Sequence, residues 1–313
     1  MKTLLKQICK AHEPQGVILE RLAEYYPDAR IDTAGNIIGG GANNINTILT
    51  AHYDRVGFIV NYIDGDFARL TPLGGLDARV LPAQIVDIVG ADGIYTAVIC
   101  ATPPHLSGDK ADKPIELNDG VWADVLSGTD HIKLGDKAYF KPQFNTLLGS
   151  KVTGTALDNA AGVAAIFGVL EELTLIQKAS TKVIFTVQEE LGERGAEIAF
   201  YNEYAENATA IVFDTTFGAD KNNDKTQTFA LGKGAAVGIS PILDQNTSIS
   251  DKYQTEVMNG KTGTDADIIS STKGGIRTKL ISIPLRNMHT PVEVVDIKDI
   301  ESAVEYTLEV LGE

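Results

Sequence analysis

KVIFTVQEELGERGAEIAFYNE, residues Lys182–Glu203, decides the fold. Its first seven residues hold VIFTV (183–187), a continuous β-branched and aromatic run, the pattern of a strand buried on both faces. A Gly-broken turn follows, and ERGAEIAFYNE then spaces its apolar residues as a helix does. The same alternation extends in both directions. INTILTAHYD (45–54), VGFIVNYI (56–63), ATAIVFD (208–214) and TKLISIPL (278–285) read as strands, and AGNIIGG as a short one between turn residues. TLLKQICKAH (3–12), VILERLAEYY (17–26), NAAGVAAIFGVLEEL (159–173), GTDADIISSTKGG (263–275) and IKDIESAVEYTLEVL (297–311) read as helices. Strands alternating with helices predict an α/β fold: a mostly parallel sheet with helices on both faces.

Between residues 64 and 150 the texture changes. Short apolar runs (QIVDIVG, YTAVICA, KAYFKP) alternate with Gly, Pro, Asp and Asn, and long helical patterns are missing. This predicts a small β-rich, barrel-like domain inserted into a principal domain of residues 1–63 and 151–313.

Composition limits the function classes. The chain has 313 residues, 43% hydrophobic and 22% charged, enough for a sizeable core. Its formal charge of −15 argues against nucleic acid and anionic membranes as partners. Two cysteines without CxxC spacing argue against a disulfide framework and for a reducing, cytoplasmic setting. No leader and no membrane span is expected. GGGANN (Gly39–Asn44) lacks the Lys-Ser/Thr ending of a phosphate loop and reads as a turn.

Acidic and histidine residues cluster just beyond the apolar strands. His52 and Asp54 end one strand, Glu189 and Glu190 another, and Asp214 a third; Asp158 opens the Ala-rich helix, and His289 follows SIPLRNM. In an open α/β sheet, ligands gather outside the carboxyl ends of the strands. Taken singly each element is commonplace: an N-cap for Asp158, an Asx-turn for Asp214, a solvated pair for Glu189–Glu190. Together they form a set of imidazoles and carboxylates that would repel without a cation. Divalent metal is the better neutraliser, with zinc ahead of cobalt or manganese. Glu190 then reads as metal-bound and Glu189 as a base.

With AHYDRVGF, GTALDNAAG, TVQEELGERGA, VFDTT, GKG (232–234), GTDAD and IPLRNMHTPVEVVDIKDIE in view, the sequence resembles the glutamyl or tetrahedral aminopeptidase family of dinuclear metallopeptidases, over nearly the whole chain. The resemblance implies a zinc-exopeptidase-like fold with two metals per subunit. Asp158 would bridge them, His52 and Asp214 would complete one, and Glu190 and His289 the other. Glu189 would be the general base acting on a metal-bridged water, and Asp54 would hold His52. It also implies a cis Asp158–Asn159 peptide, and homo-oligomers built from dimers, up to a dodecamer, through the inserted domain. Three features depart from the family pattern: Arg55 where Glu is frequent, Ala160 in the bridging triplet, and Leu285-Arg286-Asn287 before His289. None removes an implied ligand.

The reading is therefore a metal-dependent aminopeptidase acting on short peptides. A deacylase or carboxypeptidase on the same fold, and a catalytically silent metal-binding scaffold, are the alternatives. A glycosidase is disfavoured, because adjacent glutamates on a strand point opposite ways and cannot flank one bond.

Overall fold

The computed structural model describes residues 1–41, 44–108, 113–222 and 228–312; residues 42 and 43 of the Gly39–Asn44 stretch lie outside it. Contacts divide the chain into two units. Met1–Asp54, Phe144–Met288 and Val292–Glu313 form the first, and Arg55–Gln143 with His289–Pro291 the second. The first unit opens with strands β1 (Arg30–Ile31), β2 (Ile37–Gly40) and β3 (Thr47–His52). The second supplies β4 (Gly57–Asp64), β5 (Phe67–Leu73), β6 (Ile85–Gly90), β7 (Gly93–Ile99), β8 (Val121–Val125) and β9 (Lys137–Phe140). The chain then returns to the first unit. There it forms β10 (Phe144–Thr146), β11 (Lys151–Gly154), β12 (Thr181–Thr186) and β13 (Thr209–Phe217). β14 (Ala236–Ile239), β15 (Gln254–Val257), β16 (Arg277–Arg286) and β17 (Glu293–Asp296) follow.

The first unit is built on an 11-stranded sheet in the order β1-β2-β12-β3-β13-β16-β17-β11-β10, with β14 and β15 added beside β16. Its centre, β12-β3-β13-β16, is parallel. Both flanks are antiparallel apart from the β14–β15 pair. The sheet is thus mixed, parallel at its centre and antiparallel at its flanks. The long apolar runs visible in the sequence are the parallel centre; the flanking strands are too short to show a period.

Alternate residues of the central strands feed two separate cores, as a pleat buried on both faces requires. Leu49, Val183, Phe185, Ile211, Phe213 and Ile281 face one side. The helices Lys2–Lys10, Gln15–Ala23, Leu157–Glu172 and Ile297–Gly312 bring Leu5, Ile18, Phe167 and Ile300 against them. Ile48, Ile184, Ala210, Val212 and Leu280 face the other side, where Ala199 and Phe200 of helix Arg194–Asn202 and Ile269 of helix Ala266–Ile269 pack. GTDADIISSTKGG is helical only over Ala266–Ile269, with a 3-10 turn at Thr272–Gly274. The Asp267 carboxylate accepts from Thr262 and Gly263, folding the chain back before the helix. Gly274 and Gly275, both at positive φ, end the segment.

The second unit is a closed barrel, β4-β5-β8-β7-β6-β9, filled by Phe58, Val60, Leu70, Val86, Ile88, Val121, Val125 and Phe140. VGFIVNYI, read in sequence with the strand before it, belongs here: its alternate residues Phe58 and Val60 fill the barrel. Phe144–Thr146 pairs instead with β11 in the large sheet. The unit runs from Arg55 to Gln143, beginning nine and ending seven residues earlier than the 64–150 expected from sequence, and takes in His289–Pro291. Among the described residues no helix is long and apolar enough to cross a membrane.

A Cβ at Gly195 would stand 1.9 Å from the carbonyl oxygen of Val187 and 2.6 Å from Asn36 Oδ1. One obstacle is backbone, so Gly195→Ala is expected to destabilise by about 3 kcal/mol. Gly16→Ala, with nothing within 4 Å of the new methyl, is expected to stabilise by up to about 1 kcal/mol. Urea unfolding of the two variants checks both signs.

Candidate metal centre at the carboxyl edge of the sheet

The parallel strands β12, β3, β13 and β16 end at one edge. There, the face that carries Ile48, Ile184 and Val212 deeper in the sheet turns polar, with Thr50, His52, Thr186, Asp214 and Ser282, all buried. His52 pairs with Thr186 across β3 and β12. The register Thr50↔Val212, carried two residues on, sets Asp214 level with His52.

Asp158 arrives from the start of the Leu157–Glu172 helix, and the Asp158–Asn159 peptide is cis, as the resemblance implies. Both residues are non-helical. The N-cap geometry belongs to Asn159: its Oδ1 accepts from the N–H of Gly162 at 2.9 Å, while its Nδ2 donates to the carbonyl of Phe213 at 2.8 Å. Asp158 donates its own N–H to Glu293 Oε2 at 3.1 Å. Its carboxylate turns to His52: Oδ1 is 3.2 Å from Nε2. Asp214 Oδ1 is 3.5 Å and Glu189 Oε2 3.9 Å from the same nitrogen. On the far side of the ring Nδ1 lies 3.5 Å from Asp54 Oδ1, a contact too long and bent to count as a hydrogen bond.

Glu189 and Glu190 are not on the strand, which ends at Thr186; they occupy the turn before helix Arg194–Asn202. Gln188 and Glu193 are left-handed, and the turn is held from beneath. Asp54 accepts from the N–H groups of Glu189 and Glu190 at 3.2 and 3.3 Å. Asn36 accepts from the N–H of Val187 at 3.0 Å and donates to the carbonyl of Gly195 at 3.1 Å. Asp54 therefore faces His52 and holds the Glu189–Glu190 turn together.

Burial pushes Glu189 up to about 10, against the attraction of His52 and with the repulsion of Asp214, Asp265 and Glu190. Burial likewise lifts Asp214 to about 6 and Asp265 to about 7, each against the pull of His52. Burial alone would lower His52, but the charges of Asp214 and Glu189 and hydrogen bonds to Asp158 and Asp214 hold it well above its ordinary value. The cluster thus calls for positive charge, which protons supply in the bare protein.

The donor set fits a divalent ion. His52, Asp158 and Asp214 each offer one ligand atom, all within 4.8 Å of one another and all buried. Contacts of 3.2 and 3.5 Å around Nε2 match the edge of about 3.3 Å expected of a tetrahedron with zinc–ligand bonds near 2.0–2.1 Å. Asp158 and the half-buried Glu190 also bring carboxylate oxygens within 4.8 Å. His289 is grouped by contacts with the second unit, where its Nδ1 would stand 3.3 Å from a Cβ at Gly75; its backbone is left-handed.

Sequence reasoning gave no role to four buried residues here: Asn36, Asn159, Asp265 and Glu293. Asp265 Oδ2 accepts from the Thr186 hydroxyl at 2.5 Å, and Oδ1 has no hydrogen bond among the described residues. Its signal was the GTDAD stretch. Asn36 carried only the signal of a turn.

A model of the M42 glutamyl aminopeptidase family matches residues 35–306. The lysyl aminopeptidase of Pyrococcus furiosus is 27% identical over 317 residues, covering 95% of this chain and 90% of that protein. Among solved structures, aminopeptidase APDkam598 from Desulfurococcus kamchatkensis is 29% identical with a TM-score of 0.83, covering 97% of this chain and 92% of its own. The TET1 peptidase of Pyrococcus horikoshii, described as assembling into a tetrahedron or a large octahedral shell, is 27% identical with a TM-score of 0.76 and coverage of 95% and 92%.

Asp265 has its carboxyl raised from 3.8 to about 7 in the folded state. Stability from the protonated form is complete below the unfolded value and is lost as pH rises through about 7. In chelator-treated protein, Asp265→Asn, which keeps an acceptor for Thr186, is expected to gain stability over wild type on going from pH 4 to pH 8. The gain is at most about 4 kcal/mol. Urea unfolding at the two pH values measures it.

Proposed function

Since this chain belongs to the M42 glutamyl aminopeptidase family, and is thereby a hydrolase of the aminopeptidase class, we propose that it removes N-terminal residues from short peptides using two divalent ions per subunit. The observation that carries the reading is the buried triad His52, Asp158 and Asp214, at metal-ligand spacing, with Glu189 beside it. His52 and Asp214 would hold one ion, Glu190 and His289 the other, and Asp158 both. Imidazole and carboxylate donors favour zinc, with cobalt or manganese as substitutes.

Bound ions would polarise the scissile carbonyl and lower the pKa of water at the site. Glu189 accepts the proton of the attacking water and returns it to the departing amine. Its burial suits that task, since a desolvated carboxylate is a stronger base than one in water. Asp54 keeps Glu189 in reach through the two turn N–H groups, and its charge, 3.5 Å from Nδ1, would favour the His52 orientation without a hydrogen bond. The acidic site favours the free ammonium terminus of a peptide.

We further propose a homo-oligomer built from dimers, up to twelve subunits, with the barrel unit serving assembly and substrate access. Support comes from the assembly described for the Pyrococcus horikoshii relative. The barrel also exposes Tyr62, Phe67, Ile85, Ile94, Trp122, Leu126 and Leu134. A cytoplasmic location would keep the free thiols of Cys9 and Cys100 reduced.

The direct test is hydrolysis of aminoacyl chromogenic substrates by protein stripped with chelator and reloaded with zinc, cobalt or manganese. Metal-restored cleavage is expected; cleavage of N-acyl substrates alone would turn the reading to a deacylase. Glu189→Gln is expected to lower kcat by about 10³-fold or more while sparing metal content and assembly. His289→Ala is expected to lose one of the two ions, counted by elemental analysis. Light scattering that returned a monomer would refute the assembly.

A further inference from the structure

We propose that Glu293 is a positioning residue that sets the carboxylate of Asp158 for its bridging role. The inference rests on the two-ion reading above.

Glu293 is 2% exposed, on β17, and pairs in register with Gly154 of β11, four residues before Asp158. A carboxylate buried this deeply is costly unless it is hydrogen-bonded. One of its bonds accounts for the local geometry: Oε2 accepts the N–H of Asp158 at 3.1 Å. That N–H stands at the opening of a helix, where donors lack intrahelical partners. Ala156, which precedes Leu157, is left-handed and offers no side-chain acceptor, and the Asn159 cap serves Gly162. The acceptor comes instead from a strand 135 residues further along the chain.

On the other side of Asp158, Asn159 is held twice, by the carbonyl of Phe213 and by the N–H of Gly162. The first bond links the Asp158 segment to the residue before Asp214. The second excludes a side chain at residue 162, since a Cβ on Gly162 would lie 2.3 Å from Asn159 Oδ1. The backbone on both sides of Asp158 is therefore pinned, and its side chain remains directed at His52 Nε2. Glu293 touches no reacting atom; it acts through Asp158.

What Asp158 needs is an acceptor at the right distance. Glu293→Gln keeps that reach and removes the charge. Glu293→Asp keeps the charge and withdraws the acceptor by about 1.5 Å, one carbon–carbon bond. Metal-free wild type and both variants are titrated with cobalt, followed by visible absorption, and bound zinc is counted after desalting. Glu293→Gln is expected to take up two ions and keep kcat within about threefold of wild type. Glu293→Asp is expected to bind the second ion about tenfold more weakly or worse, with a changed cobalt spectrum. Its kcat should fall about tenfold with little change in KM. Glu293→Asp indistinguishable from wild type in cobalt affinity and spectrum would overturn the inference. So would Glu293→Gln falling as far as Glu293→Asp, which would make charge rather than reach the requirement. Wild type that takes up no pair of ions sinks the two-ion reading itself, an outcome read before any variant is compared.

Discussion

Everything at the carboxyl edge follows from concentrating negative charge around one buried imidazole. Asp158, Asp214 and Glu189 all lie within 3.9 Å of His52 Nε2, with Asp265 buried close by. Carboxylates in such a place cannot all ionise against water's absence and each other's field. The bare protein answers by raising their proton affinities and that of His52. A divalent ion held by the same carboxylates and imidazole would answer the same demand.

The sheet makes that concentration affordable to the fold. Four parallel strands bury both faces in separate apolar cores, and β3 and β12 end level with Asp214 while β13 and β16 run on to Phe217 and Arg286. His52 and Thr186 stand at the last positions of β3 and β12 and Asp214 in the second half of β13, past the residues through which the pleat delivers most of its apolar contacts. The segments carrying Asp158, Asp214 and Glu189 are then joined by hydrogen bonds among themselves. Asn159 reaches Phe213, Asp54 reaches the Glu189–Glu190 turn, and Asn36 reaches both Val187 and Gly195. The site is thus a strand end, a strand, a helix start and a turn locked to one another by hydrogen bonds.

Much of this was legible in the residues. The two central cores could be read from the continuous apolar runs, and His52, Asp158 and Asp214 from their place just beyond them. What escaped was structure with short or non-local causes. The flanking strands β14, β15 and β17 are four residues each and carry no usable period. GTDADIISSTKGG has helical spacing, yet Asp267 turns its carboxylate back to Thr262 and Gly263 and shortens the helix. Glu293 was hidden by distance along the chain, since nothing local marks a strand residue as the acceptor for a helix start.

The adjacency of Glu189 and Glu190 shows how the same pair reads differently once the backbone is known. On a strand, neighbours project to opposite faces, which excludes a shared site only for chemistry that needs both on one bond. In the turn after Thr186 the two N–H groups both donate to Asp54, one to each carboxylate oxygen. Glu189 reaches toward His52 and Glu190 toward Asp158. Consecutive glutamates can then face different neighbours without competing, because the Asp54 carboxylate holds both backbone N–H groups and leaves each side chain its own direction.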